Sequence, residues 1–162
     1  MYPVEEQAPV VHASFSIERT YPASPSKVFF AFADQATKRR WFAEGEAREV
    51  SEHSLEFKAG GREVTRSRFK SGGPPGGGSM RNDTVYLDIV PDKRIVMAYT
   101  MTIGEHRISA SLATVELAAV AGGTRLFFTE QSAFFVGADG RERREEGWGK
   151  LLDRLGAEFR KG

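Results

Sequence analysis

Residues 143–161, RREEGWGKLLDRLGAEFRK, decide how the rest of the chain is read. Trp148, Leu151, Leu152, Leu155 and Phe159 follow one another at steps of three, one, three and four. That spacing gathers them on one face of a 3.6-residue repeat, while Lys150, Asp153, Arg154, Glu158 and Arg160 fill the opposite face. The stretch reads as one long amphipathic helix. From about Val85 onward, almost everything before it reads as strand. A helix that follows a run of strands must bury its apolar stripe against their sheet. The space between helix and sheet is therefore where function is sought.

Working back from the helix, strand patterns cover Thr124 to Phe135, Arg107 to Ala118, Arg94 to Ile103 and Thr84 to Val90. They are punctuated by Gly122-Gly123, Gly104-Glu105 and Pro91-Asp92, hairpin-length breaks that require antiparallel pairing. From Glu46 to Phe69 the alternation continues, with turns expected at Glu52, His53 and Ser54 and at Gly60-Gly61. Between these runs, residues 71–79 (SGGPPGGGS) read as a mobile hairpin tip. Near the start, Phe15 and Ile17 alternate with Ser14, Ser16 and Glu18, another strand signature. Ser24 is then a natural N-cap with Pro25 at the first helical position, opening a helix through Phe32. A second short helical segment runs from Gln35 to Phe42. Residues 1–10 carry two prolines and no period, and are expected to be a flexible arm. The expected order is β-α-α, six strands and a final helix, in one α+β domain spanning residues 11–162.

Composition narrows the function classes. The 162 residues are 40% hydrophobic and 28% charged with a formal net charge of +1, an ordinary globular balance. No overall field favours nucleic acid, and the basic groups at Lys38, Arg39 and Arg40 and at Arg141, Arg143 and Arg144 form no stripe with aromatics. No apolar run approaches the ~18 residues of a membrane span, and the first residues lack a basic signal-peptide region. Cysteine is absent, which removes disulfides and thiolate chemistry and fits a cytoplasmic location. The three histidines, His12, His53 and His106, have no metal-ligand spacing, so no metal and no cofactor is expected. Residues 71–79 lack the GK[ST] of a phosphate loop, and their two prolines remove backbone donors.

Several segments together carry a family resemblance: ERTYPASPSKVFFAF at 18–32, RWF at 40–42, LEFKAGGRE at 55–63, DIVPDKRIVMAY at 88–99, RISASLATVEL at 107–117, GGTRLFFTEQSAF at 122–134, and the final REEGW and LLDRLGAEF. In these the chain resembles the START/Bet v 1-like (SRPBCC) superfamily, in the branch of activator of Hsp90 ATPase homologues and polyketide-cyclase-like proteins. The resemblance implies a helix-grip fold. A curved sheet of six or seven antiparallel strands would wrap a long C-terminal helix, with two short helices after the first strand and an apolar cavity between sheet and helix. It implies no single reaction, since members include ligand binders, cyclases and co-chaperone domains.

Strand alternation then nominates the cavity wall. Met97, Tyr99 and Met101 share a face of one strand, and Leu126, Phe128 and Glu130 share a face of the last. Methionines suit an adaptable pocket, and Tyr99 adds a hydroxyl. Glu130 is the sharpest residue, because an inward carboxylate must be paired or have a raised pKa. It is a candidate general acid/base or ligand anchor, but the favoured expectation is structural: a frayed or bulged strand, or pairing with Arg66, Arg68, Arg81 or Arg107. Trp148 and Leu152 lie on the helix stripe, and Trp41 with Phe42 either rims an entrance or closes the core. Gly147 and Gly149 flank Trp148 and suggest close helix–sheet approach or a helix start able to shift. The leading expectation is a small apolar or amphipathic molecule bound among Trp41, Phe42, Met97, Tyr99, Met101, Phe128, Glu130, Trp148 and Leu152. The alternatives are a co-chaperone-like module for a protein partner or a homodimer, and a cyclase- or hydrolase-like enzyme using Glu130.

Overall fold

A computed structural model of the chain describes residues 8–45, 48–70 and 78–160. The expected arm at 1–10 and the Gly/Pro loop at 71–79 lie mostly outside the described residues. The elements run β1 (Val11–Tyr21), α1 (Pro25–Ala33), α2 (Gln35–Lys38), a π-helical turn (Arg39–Ala43), β2 (Arg48–Leu55), β3 (Arg62–Phe69), β4 (Ser79–Val90), β5 (Arg94–Ile103), β6 (His106–Val120), β7 (Gly123–Phe134) and α3 (Arg141–Glu158). The strands form one seven-stranded sheet in the order β1-β7-β6-β5-β4-β3-β2, every neighbour antiparallel. This is the expected α+β helix-grip architecture.

Strands β1 and β2 lie at opposite edges, so the helical segment between them must cross the sheet. Local capping shapes that crossing. Ser24 Oγ accepts from the Lys27 amide at 3.3 Å with Pro25 opening α1, and Asp34 accepts from the Thr37 amide at 3.1 Å and its hydroxyl at 2.7 Å. The second helix, expected to run from Gln35 to Phe42, keeps α geometry only to Lys38 and then widens into the π turn. Widened turns of this kind often stand at functional sites.

Helix α3 seats its stripe on the β1 and β7 side of the sheet. Trp148 packs on Phe128 with ring centroids 4.2 Å apart, and Leu152 and Leu155 are fully buried. The Tyr21 hydroxyl donates to the Leu152 carbonyl at 2.7 Å. The close approach is at Gly156, where a β-carbon would stand 3.1 Å from the Tyr21 ring, and not at Gly147 or Gly149, for which it is one of two expectations. A β-carbon on Gly147 would meet nothing within 4 Å, and one on Gly149 would meet Arg19 at 3.4 Å. No helix among the described residues is long and apolar enough to cross a membrane.

Turning the chain at Glu52, His53 and Ser54 is not what the structure does. These residues lie inside β2, and the reversal comes at Gly60-Gly61, where Gly60 has φ +83° and a β-carbon on Gly61 would stand 2.1 Å from the Glu56 carbonyl. Continuing the strand turns His53 inward, onto a buried charge cluster that links the α2 end to β2, β3 and β4. Lys38 donates to Glu63 at 2.9 Å, His53 Nε2 bonds it at 2.8 Å, and Tyr86 donates to it at 2.5 Å. The Lys38 ammonium also lies 4.5 Å from the Phe42 ring centre. Burial by itself would raise the Glu63 carboxyl; the Lys38 charge and the bonds from His53, Tyr86 and Lys38 reverse that and hold it at about 2.

A carboxyl held below its unfolded value contributes stability at pH above the unfolded pKa and loses it as pH falls through the folded one. Urea unfolding should therefore show stability declining between pH ~4.5 and ~2. Glu63→Gln should cost about 3–5 kcal/mol at pH 7, because it strands the Lys38 ammonium. The double change Lys38→Met with Glu63→Gln should recover much of that loss and flatten this part of the acid decline. A single-variant loss below about 1 kcal/mol, typical of exposed pairs, would refute the assignment.

Candidate functional site: a cavity under the last helix

Because α3 rests on the β1 side, the inner face of β2 to β5 is left uncovered beneath the first half of the helix. A cavity of about 960 Å³ occupies that space, bounded by the π turn and the start of β2. Phe42, Phe69, Met80, Met101, Trp148 and Leu151 supply apolar wall, and Arg48, Asn82, Tyr99 and Arg144 are among its polar groups. On β5 the inward residues become more exposed toward the cavity: Ile95 and Met97 are 1% and 4% exposed, Tyr99 6%, and Met101 is half-buried.

Of the residues nominated from sequence, Phe42, Tyr99, Met101 and Trp148 meet at this cavity. Trp41, Met97, Phe128 and Leu152 do not; they are packed into the core. Trp148 of α3 covers Phe128, Leu152 is on the buried face of α3 itself, and Trp41 spends its indole N–H on the Ala31 carbonyl at 2.8 Å. Glu130 is also buried, behind Tyr99, and is absent from the cavity wall.

The partner of Glu130 is none of the four arginines considered for it. Arg66 pairs with Glu52 at 3.0 Å and Arg81 with Asp83 at 2.7 Å, both partly exposed. Instead Arg144 enters from α3, with its side chain 4% exposed. Its guanidinium grips Asp139 through two bonds of 2.8 Å, donates to Ser109 at 2.9 Å and Tyr99 at 3.0 Å, and approaches Glu130 at 3.5 Å. A signal for this was present: Arg144 precedes Trp148 by four residues, so it belongs to the helix's buried face. Arg48, Phe69, Met80 and Asn82 were also missed, since their meeting depends on the pairing of β2, β3 and β4.

Tyr99 is the hub of this network. Its hydroxyl donates to Glu130 at 2.5 Å and accepts from Arg144 at 3.0 Å and Trp148 Nε1 at 3.2 Å. One donor and two acceptor directions are all the hydroxyl has. Burial raises the Glu130 carboxyl, and the bonds from Tyr99 and Ser132 and the Arg144 charge offset only part of that. For Arg144, burial acts downward, but the Asp139 bonds and the charges of Asp139 and Glu130 raise it above the usual arginine range. Both Glu130 oxygens are engaged, one by Tyr99 and one by Ser132 at 2.8 Å. The network thus holds Trp148 and the start of α3 in place at the cavity's inner end.

Comparison with known proteins agrees with this architecture. The model of the family described as activator of Hsp90 ATPase homolog 1-like protein matches residues 22–160. The crystal structure of the Mll3558 protein from Rhizobium loti is 52% identical, with a TM-score of 0.82 over 93% of this chain and 99% of that one. A protein from Rhizobium leguminosarum is 36% identical, with a TM-score of 0.87 over 95% of this chain and 98% of that one. DynU16, from the dynemicin biosynthetic locus, shares the fold at 18% identity, with a TM-score of 0.66 over 92% of this chain and 48% of its own. No curated protein matches.

Removing the Arg144 side chain would leave Glu130 and Asp139 without their cation. Arg144→Met should cost about 3–5 kcal/mol in urea unfolding. Arg94→Met, which breaks the exposed pair with Asp88, should cost less than about 1 kcal/mol. Equal losses in the two variants would contradict the buried network.

Proposed function

This chain belongs to the activator of Hsp90 ATPase homolog 1-like family, and we propose that it reversibly binds a small apolar or amphipathic molecule in the cavity under α3. The observation that carries the reading is the cavity itself. At about 960 Å³ it is at the upper end of the ~300–1,000 Å³ range of small-molecule pockets, with aromatic and methionine walls. Burial of apolar ligand surface, at roughly 25 cal/mol per Å², supplies most of the affinity. Met80 and Met101 let the wall adapt to ligand shape. Tyr99 orients the ligand chiefly by holding Trp148, since its own hydroxyl is fully engaged. A cytoplasmic place for this activity is supported by the cysteine-free composition.

The other readings draw on less. For a co-chaperone-like or homodimeric surface there are exposed Leu87 and Phe127 on the outer sheet face. However, Arg125 lies 5.4 Å from the Phe127 ring centre, and Leu87 adjoins the Asp88–Arg94 ion pair. A cyclase- or hydrolase-like role for Glu130 would need its carboxyl at the cavity wall.

Two measurements test the binding reading. Native mass spectrometry followed by solvent extraction should find a co-purifying amphipathic molecule, or the empty protein should bind the neutral dye Nile red. Gly147 lines the cavity with open space above its Cα, so Gly147→Leu should obstruct part of it while raising helix stability by up to ~1 kcal/mol. The expected result is a higher unfolding temperature together with Nile red binding weakened at least tenfold. Unchanged dye binding in that variant would count against the cavity as the site.

A further inference from the structure

One half-buried cation of the cavity lining has no acid partner among the described residues. Arg48, at the start of β2, is half-buried and lines the cavity. Among the described residues its guanidinium has no carboxylate partner; it points at the Met80 sulfur, 3.9 Å away. Other arginines in comparable surroundings are paired: Arg144 holds Asp139, Arg19 holds Asp153 at 2.9 Å, and Arg81 holds Asp83. Nor does the neighbouring Arg154 help. Its Nη2 donates to the Arg40 carbonyl at 2.6 Å, leaving a second positive charge on the same wall. Burial, and then the Arg154 charge, pull Arg48 below the usual arginine range.

Asn82, which shares the cavity lining with Arg48, also lacks a partner. Asn82 lines the cavity from β4, is 9% exposed, and its Oδ1 has no hydrogen bond. Thr65 stands opposite Asn82 on β3 and Ser67 stands opposite Met80; the hydroxyls of both are buried without a partner. An unpartnered buried amide oxygen is rare in folded proteins, and one lining the same cavity as an unpaired guanidinium points to a polar ligand group. The charges of the lining agree. Arg48, Arg143, Arg144, Lys150 and Arg154 face Glu44 and Asp139, and of these acids Asp139 is held by Arg144 and Glu44 by Arg39. A cleft of one sign with low-dielectric walls concentrates ions of the other sign.

We propose that Arg48, with Asn82 of the same lining, forms a subsite for the oxyanion head of an amphipathic ligand, a carboxylate or a phosphate monoester, whose apolar part lies along Phe42, Met101, Trp148 and Leu151. This rests on the ligand-binding reading above and gives it a chemical class. The planar guanidinium fork matches two oxygens of either head group, and the Asn82 amide adds a donor once its N–H is turned toward them.

The test is displacement of Nile red by three ligands with the same chain: dodecanoate, dodecyl phosphate and dodecan-1-ol. Wild type should bind at least one of the anions about tenfold or more tighter than the alcohol, as expected for a charge-assisted bidentate contact. Arg48→Met should abolish that preference, leave dodecan-1-ol binding within about twofold, and not lower the unfolding temperature, because Arg48 makes no protein ion pair. Whichever anion binds more tightly identifies the head group. Equal binding of anions and alcohol by wild type, or a preference that survives in Arg48→Met, would overturn the subsite and leave the cavity reading standing. Failure of Nile red and all three ligands to bind would overturn the cavity reading and the subsite together.

Discussion

The seating of α3 is the constraint on which the rest of the molecule depends. Its two halves are held by different physics. The second half is in direct contact with the sheet: Gly156 lets the Tyr21 ring approach, and the Tyr21 hydroxyl ties to the Leu152 carbonyl. The first half is held by polar bonds, Arg144 and Trp148 both reaching the Tyr99 hydroxyl. A close apolar contact at one end and a polar strut at the other keep the helix over β1 and β7. The inner faces of β2 to β5 are then left to wall a cavity.

Two buried carboxylates behave oppositely, and geometry explains why. Glu63 has the Lys38 ammonium at 2.9 Å together with two further donors, and its carboxyl is held far below the usual range. Glu130 has a guanidinium at 3.5 Å whose shortest bonds go to Asp139, so the cost of burial prevails and its carboxyl is raised. Net gain from a buried ion pair depends on close geometry that offsets desolvation, and only the first pair has it. The Lys38 cluster accordingly anchors the π turn that carries Phe42 into the cavity. The Arg144 cluster, by contrast, positions a helix.

Arg48 belongs to neither cluster. In a cavity whose other buried arginine is paired within the protein, an arginine left without an acid indicates chemistry supplied from outside. Asn82, in the same lining with its Oδ1 unpartnered, points the same way. Apolar wall and cationic corner together describe an amphipathic anion better than a purely apolar molecule.

Much of this was legible in local pattern. The 3.6-residue stripe from Trp148 to Phe159 and the twofold alternation in β5 and β7 determined helix, strands and buried faces, because periodicity is a property of the backbone alone. Arg144 was legible too, four residues before Trp148, but it stands in sequence among the charged residues 141–146, which hides its place on the buried face. The His53 turn was misplaced because a polar triplet resembles a turn until its histidine finds Glu63. Which inward residues pack and which face open space was decided only in three dimensions. Trp41, Met97, Phe128 and Leu152 are as apolar as the residues of the cavity wall, and only the seating of the helix separates them. The Lys38–Glu63 pair and the Arg48 corner lie further still from sequence. They depend on pairing among β2, β3 and β4, with the register shift between Val50 and Glu52, and on a helical crossing that spans the sheet. Sequence by itself determined the elements and their faces; tertiary structure decided the cavity and its charge, because both arise where distant segments meet.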